Sequence, residues 1–428
     1  MRIAHILSIG NELLIGDIVN TNASAIGRML TEAGFQVEQV LTLPDTYELL
    51  KQRITESFHH AHCTIVTGGL GPTHDDVTKA VLADLFDAEM KTDEAVLAHI
   101  KKMFEERSFS FSASNADQAL VPESFEVLFN KKGTAPGLLY AEGGHVVAAL
   151  PGVPYEMEHL MKEKVLPRLR ELFPGQEVWA TRYFKTAGVP ESTLSDELIG
   201  DLTTVLQNGV EVAYLPHAGG VVMRVSTKAG NKENAEEKLQ VVQQRIYERA
   251  KPYIYSEDRD TDLAKAVGDE LLKQGLTIAT AESCTGGMLS DAITNIPGCS
   301  SWMVGGVVAY SNDLKIDLLG VTPESLKSGG AVSREVALQM AKGIAQRTGA
   351  AVGVSTTGIA GPGGGSDDKP VGTVWMGFWI NGDHFALKAL FTKDRLINKK
   401  RTVMVVLETV RRRLLNIESY PYALQPHR

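Results

Sequence analysis

Cysteine is scarce in this chain: Cys63, Cys284 and Cys299 are the three among 428 residues. Three make neither a disulfide framework nor a metal cluster, and they fit a reducing cytoplasm. Long apolar runs are missing too. No stretch approaches the roughly 18 residues that a membrane span needs, and the opening "MRIAHILSIGNELL" meets Asn11 and Glu12 with no small-residue cleavage site, which argues against a signal peptide. With 43% hydrophobic and 22% charged residues, the expectation is a soluble, cytoplasmic globular protein with no membrane partner. Positive charge is rarely clustered. Residues 260–428 carry 18 Lys and Arg against 16 Asp and Glu, whereas the first 259 residues carry 25 against 36. An acidic N-terminal part argues against general nucleic-acid binding, since phosphate neutralisation needs grouped Lys and Arg. The one basic cluster, "VRRRLL" (Val410 to Leu415), reads as a solvated helix face. No fixed-period repeat or low-complexity tract is present, which sets solenoids aside.

What is present is length enough for two or three domains. "RIAHILSIG", "QVEQVLTL" and "CTIVTGGLGPTHDD" read as strands, separated by the helical patterns "NTNASAIGRMLTEAG", ended by Gly34, and "DTYELLKQRITESFHH". Strand and helix in alternation predict a parallel sheet whose ligands gather at the carboxyl ends of its strands. Between about 177 and 255 the pattern changes to hairpin-like strands, "VEVAYLPHAGG" and "VVMRVSTKAG", followed by one long amphipathic helix, "ENAEEKLQVVQQRIYERA". The charged, turn-rich "SEDRDTD" marks the next boundary. From Leu263 the helix and strand alternation returns. The fold class is therefore α/β, with two separate α/β domains, 1–172 and 260–420, joined by a small α+β module at 177–255.

The C-terminal domain carries "TAESCTGG", which runs from a strand through a turn into a helix and offers Ser283, Cys284 and Thr285 in succession. Such a turn sits at a helix N-terminus, where free N–H groups and the macrodipole favour developing negative charge. Ser283 or Thr285 would equally serve as a helix cap there. The domain's two histidines, His384 and His427, are poorly placed to activate a nucleophile. Lysine is the other option, because a desolvated Lys accepts a proton from Ser. "GGVVAYSNDLK" places Tyr310 and Lys315 just past a strand end, and "STTGIAGPGGGSDDKPVG" adds a glycine-rich loop with Thr356 and Thr357 hydroxyls after another strand. Cys284 reads as a small buried hydrophobe.

"TAESCTGG", "VVAYSNDLK" and "TTGIAGPGGG…DKPVGTVW", in this order and spacing, resemble the CinA C-terminal domain family, the nicotinamide mononucleotide (NMN) amidohydrolases. The resemblance covers nearly all of 260–420. It implies Ser283 as nucleophile on the carboxamide carbon of NMN, Lys315 as proton acceptor and Tyr310 in support. It also implies substrate contacts at Thr285, Gly286, Gly287, Asn312, Thr357, Gly358, Gly361 and Arg395, with no cofactor. Arg395 and Arg401 suit either the substrate phosphate or solvated helix ends.

In the N-terminal domain "TGGLGPTHDDVT" opens from glycines onto a helix with two carboxylates, Asp75 and Asp76, which suit either a bridging divalent cation or an N-cap. "SIGNELLIGDIVNTN", "KGTAPGLLY" and "ALPGVPYEM" complete a candidate rim. These stretches resemble the molybdopterin-binding fold family as fused in CinA proteins, where the domain is associated with metal-dependent ADP-ribose pyrophosphatase activity. The resemblance implies ligand positions at Glu12, Asn22, Gly68, Gly69, Thr73, Pro151 and Gly152, a metal at Asp75 and Asp76, cobalt or magnesium as the divalent ion, and potassium. An Asp-Thr-Asn triplet common in relatives stands here as Asn20-Thr21-Asn22, one carboxylate fewer for a cation. The middle module resembles the KH-type domain of CinA but lacks a GxxG loop with basic flanks, so a spacer or dimerisation role is expected rather than RNA binding. NMN and ADP-ribose are thus the expected small-molecule partners, and a homodimer the expected assembly. The competing expectation is a nucleotide-binding scaffold or sensor, linked to competence or DNA damage, that binds without turnover.

Overall fold

The computed structural model describes residues 2–73, 76–175, 178–380 and 382–428. Packing divides the chain into two compact units, Met1–Ala180 with Lys228–Glu236, and Thr181–Thr227 with Glu237–Arg428. In the first, strands β1 (Arg2–Ile9), β2 (Phe35–Leu43) and β3 (Cys63–Thr67) alternate with helices α1 (Thr21–Glu32), α2 (Tyr47–His60) and α3 (Thr78–Leu85). After an excursion that carries a helix at Glu94–Glu106, β4 (Glu126–Leu128), β5 (Gly137–Glu142) and β6 (His145–Leu150) follow, and α4 (Pro154–Leu160) leaves the end of β6. The sheet order is β2-β1-β3-β6-β5-β4. β2, β1, β3 and β6 run parallel, and β5 and β4 pair antiparallel at one side.

A strand covered on both faces is apolar where it packs, and β1 is so at Ala4, Ile6, Leu7 and Ile9, with His5 and Ser8 as buried polar exceptions. Ala4 and Ile6 pack with Ile26, Met29 and Leu30 of α1. Leu7 and Ile9 point the other way and pack with Leu50 and Ile54 of α2. α1 starts where the sequence supplies a cap: the Asn20 side chain accepts the Ala23 N–H at 3.0 Å. The carboxyl ends of β1, β3 and β6 therefore open side by side, and the loops after them are the glycine and proline stretches singled out above.

The middle module, most of it in the second unit, is a sheet of β7 (Val178–Ala187), β8 (Val210–His217), β9 (Gly220–Ala229) and β10 (Ile254–Ser256) in the order β8-β9-β7-β10, with α5 (Lys232–Ala250) as its long helix. The expected hairpin is present, paired antiparallel from Val210↔Thr227 to His217↔Gly220. The C-terminal domain comprises α6 (Leu263–Gln274), β11 (Ile278–Glu282), α7 (Met288–Thr294), β12 (Met303–Val308), α8 (Asn312–Leu319), α9 (Arg334–Thr348), β13 (Val352–Gly358), β14 (Thr373–Ile380), β15 (Asp383–Leu390), α10 (Arg395–Leu414) and β16 (Pro426–His427). Its sheet order is β12-β11-β13-β14-β15-β16. β12, β11 and β13 are parallel, so the turns that follow them share one edge, and β14 to β16 complete the sheet antiparallel. No helix among the described residues is long and apolar enough to cross a membrane.

One sequence expectation is overturned here. The basic cluster is not a solvated face, because Arg411 and Arg412 are buried together with Glu408. The Glu408 carboxylate accepts Arg411 Nε at 2.7 Å and Arg412 Nε at 2.7 Å. Arg411 also donates to the Pro252 carbonyl at 2.7 Å, and Arg412 to the Ala187 carbonyl at 3.3 Å. Periodicity marks this face of α10 as polar, yet the middle module covers it. Guanidinium groups suit such a site because their five N–H donors reach carbonyls that would otherwise be buried unpaired.

Candidate active site

The edge formed by β11, β12 and β13 brings the three C-terminal motifs together. Ser283 leaves the end of β11, with its N–H held by the Thr356 carbonyl of β13 at 2.9 Å. On the other side, the Ala309 N–H donates to the Glu282 carbonyl at 2.8 Å. The turn is thus tied to both neighbouring strands. α8 begins immediately after β12, capped by Ser311, whose side chain accepts the Leu314 N–H at 3.2 Å. Its first turn swings Lys315 back under the strand ends.

Lys315 is only 1% exposed. Its Nζ donates to the carbonyls of Ala309 at 2.8 Å and Tyr310 at 3.2 Å and lies 3.1 Å from Ser283 Oγ. Among the described residues its charged form has no carboxylate partner, and burial pushes its pKa below the ordinary lysine value. A neutral amine has two N–H bonds and one lone pair. With the two carbonyls taking the N–H bonds, the lone pair faces the serine hydroxyl, which is the geometry of a general base.

The three adjacent nucleophile candidates separate cleanly. Thr285 is fully buried, and its hydroxyl is 2.6 Å from that of Thr356. Cys284 is buried, and desolvation pushes its thiol up to about 12, so it is not a thiolate near neutral pH. Ser283, 9% exposed, is the one of the three whose hydroxyl lies against the Lys315 amine.

The helix N-terminus differs from the sequence expectation. Glu282 is fully buried, and its carboxylate accepts the N–H groups of Gly287, Leu289 and Ser290 at 3.0, 3.0 and 2.8 Å, plus the Ser290 hydroxyl at 2.8 Å. The orphan donors of α7 are therefore engaged, and Gly287 offers no free N–H to a ligand. Gly286 donates to the Ser283 carbonyl at 3.2 Å. Earlier in the turn, the N–H groups of Cys284 and Thr285 are taken by no other residue among those described. Gly286 and Gly287 instead contribute shape, with φ of 61° and 95°.

Around this centre the other expected residues are unequal. Tyr310 is 64% exposed, and its hydroxyl lies 3.4 Å from Arg395, whose guanidinium also donates to the Gly361 carbonyl at 3.0 Å. Tyr310, Gly361 and Arg395 thus form one rim. Asn312 is exposed on the first turn of α8. Thr357 is buried and donates to the Ala331 carbonyl at 2.7 Å, so its hydroxyl holds the loop rather than facing the site. A Cβ at Gly358 would meet the Thr373 carbonyl at 2.8 Å, so this glycine serves strand packing. Arg401 turns away and lines a separate hollow with Pro190, His217 and Tyr422. Two contributors were missed in the sequence: Glu282, and Lys399, whose Nζ comes within 3.6 Å of where a Gly286 side chain would start. The spacing of Arg395 and Lys399, four apart on one helix, was the available signal.

In the N-terminal unit, the loops after β1, β3 and β6 converge as expected. Gly68 and Gly69 have φ of 107° and 66°, and a Cβ on Gly68 would collide with the Ile9 carbonyl at 2.3 Å. Asn22 is buried. It donates to the Gly152 carbonyl at 2.7 Å and to Thr67 Oγ1 at 3.2 Å, while its Oδ1 has no partner among the described residues. Thr67 donates to the Pro151 carbonyl at 3.1 Å, so Pro151 and Gly152 shape this wall. Thr73 gives its N–H at 2.9 Å and its hydroxyl to Asp76. Glu12 is exposed on the turn after β1. Asp75 lies outside the described residues. Asp76, which does not cap α3, is then one carboxylate already holding a loop, and Asn20 caps α1 rather than standing where an acidic ligand would. The described donor set supplies too few carboxylate oxygens to build a cation site. A residue not singled out from the sequence, Lys79, lies buried on α3 and donates to the Gln118 carbonyl at 2.8 Å.

Fold and site together define a chain that joins a molybdopterin-binding-type α/β domain to an α/β domain bearing a buried Ser and Lys pair. Residues 5–171 match the model of a probable molybdopterin binding domain, 181–256 that of the damage-inducible protein CinA KH domain, and 260–414 that of the CinA C-terminal domain. The chain belongs to the CinA family. A CinA-like protein of Chloroherpeton thalassium is 41% identical over 97% of this chain and 99% of its own, and one of Salinibacter ruber is 41% identical over 96% and 99%. Among solved structures, the competence/damage inducible protein CihA from Agrobacterium tumefaciens is 42% identical, covering 37% of this chain and 94% of that one, with a TM-score of 0.34.

Proposed function

We propose that the C-terminal domain is an amidohydrolase that converts NMN to nicotinate mononucleotide and ammonia. The observation that carries this reading is the Ser283 Oγ to Lys315 Nζ distance of 3.1 Å, with the amine buried and its other directions filled by carbonyls. Lys315 takes the hydroxyl proton as Ser283 Oγ attacks the carboxamide carbon. The resulting oxyanion is met by the N–H groups of Cys284 and Thr285. The ammonium of Lys315 then returns its proton to the departing nitrogen, ammonia leaves, and Ser283 carries the acyl group. Water attacks this ester and gives a proton to Lys315. As the carbon–oxygen bond breaks, that proton returns to Ser283. Arg395 and Lys399 sit on the outer side of the turn, where cations match the phosphate of a nucleotide whose amide points inward.

Ammonia release from NMN by the purified chain is the direct test. Wild-type turnover is expected, with Ser283→Ala and Lys315→Ala each lowering kcat by at least about 10³-fold, as for residues that act as one unit. Full turnover in both variants would remove the mechanism, and no turnover by the wild type would remove the activity.

For the N-terminal domain the reading is a nucleotide pyrophosphate site with ADP-ribose hydrolysis as its activity. The supporting observation is the unpartnered Asn22 Oδ1 beside the opened backbone of Gly68 and Gly69. AMP formation from ADP-ribose, measured with magnesium, cobalt and potassium each added or withheld, tests it. Binding without AMP under every condition would reduce the domain to a sensor.

A further inference from the structure

Away from both sites, β1, β2 and the end of α2 bring two histidines and a glutamate together. His5 lies on β1, Glu38 on the neighbouring β2 and His60 at the last residue of α2. One ligand atom from each falls within 4.8 Å of the others. His60 Nε2 is 3.0 Å from Glu38 Oε1, and His5 Nε2 is 3.9 Å from the same oxygen. The two imidazoles are stacked, with centroids 5.4 Å apart and planes inclined by 22°. His5 is 2% exposed, and neither of its ring nitrogens has a hydrogen-bond partner among the described residues.

That last feature is the unexpected one. A buried imidazole has one N–H and one lone pair, and leaving both unmatched is unfavourable because neither regains the hydrogen bond it had to water. Ordinary packing fills such a position with an apolar residue, as Leu7 and Ile9 do two and four positions on. We infer that His5, Glu38 and His60 form a binding site for a divalent transition-metal ion of the zinc type, distinct from the phosphate loops at the opposite end of the same strands. Bond lengths of about 2.0–2.2 Å to nitrogen and oxygen put tetrahedral ligand atoms roughly 3.3 Å apart. The separations of 3.0 and 3.9 Å bracket that value. Two imidazoles and one carboxylate are the donor set that Zn²⁺ and its neighbours prefer over Mg²⁺ or Ca²⁺. The carbonyl end of α2 adds the negative pole of a 14-residue helix, which also favours a cation. His60 and Glu38 are exposed, which leaves a path in from solvent and a side on which water completes the coordination.

The full chain, stripped with chelator, is titrated with ZnCl₂ by calorimetry and with CoCl₂ by visible absorption, where tetrahedral Co²⁺ has intense ligand-field bands. One equivalent of Zn²⁺ binding at this site is expected, with those bands in the Co²⁺ form. Because Glu38 and His60 are exposed, Glu38→Gln and His60→Gln should fold normally, and each is expected to weaken binding by about 10-fold or more. Asp76→Asn at the glycine loop after β3 and His62→Gln just before β3 are expected to leave this equivalent intact. The inference is overturned by absence of binding, by binding that Glu38→Gln and His60→Gln leave unchanged, or by loss of the same equivalent in Asp76→Asn.

Discussion

Lys315 and Lys79 show how burial gives two lysines different consequences. At Lys315 the deprotonated form is the working one, so kcat/KM for the proposed deamidation should rise with pH through its pKa, which burial places below the ordinary lysine value. Lys315→Arg keeps a cation that does not deprotonate and should be inactive at every pH, a contrast that a pH–rate profile reads directly. Lys79 makes its mark on stability. Desolvation lowers its pKa to about 8, with Asp76 and Asp117 offsetting only part of the effect. Between pH 8 and the ordinary 10.5 the unfolded chain then binds more protons than the folded one, so stability rises with pH across that window. The whole rise is about 3 kcal/mol at most. Denaturant unfolding measured across this range should show the slope in the wild type and lose it in Lys79→Met.

At the scale of elements, the strand–turn–helix from β11 to α7 depends on a residue that never meets substrate. Glu282 accepts four hydrogen bonds from the start of α7. Glu282→Ala leaves three N–H groups, that of Leu289 buried and those of Gly287 and Ser290 half-buried, without their acceptor and should cost about 3 kcal/mol in denaturant unfolding. Glu282→Gln should not rescue it, since an amide turns donors toward N–H groups that need acceptors. The strand-to-helix grammar, the glycine turn and the place of Ser283 were legible in sequence because each depends on local pattern. The role of Glu282 was not. Alternation tells which residues share a strand face but not that the last of them folds under the next helix. The antiparallel half of the sheet was illegible for a similar reason: "VGTVWMGFWI" is apolar in either orientation, and direction is set by a crossover that does not occur.

On the scale of the whole molecule, the same lesson applies to α10. Its polar face resembles solvent-facing helix until the middle module is known to cover it, since periodicity identifies polarity and not the occupant on the other side. Glu408 compensates two buried guanidinium groups, so Glu408→Ala should destabilise by about 3–5 kcal/mol, the range for breaking a buried ion pair on one side. Calorimetric unfolding should show the loss in the transition that contains the C-terminal domain and middle module. The domain order, by contrast, was legible end to end, because each α/β part announces itself through its own strand-end loops.

α10 also links the two ends of its own unit. Twenty residues span about 30 Å, with Arg395 and Lys399 near one end and Arg411 and Arg412 clamped to backbone carbonyls at the other. A rod fixed so firmly at its far end resists pivoting at its near end. If the proposed nucleotide binds there, the helix that carries Arg395 and Lys399 would need no pivoting to receive its phosphate.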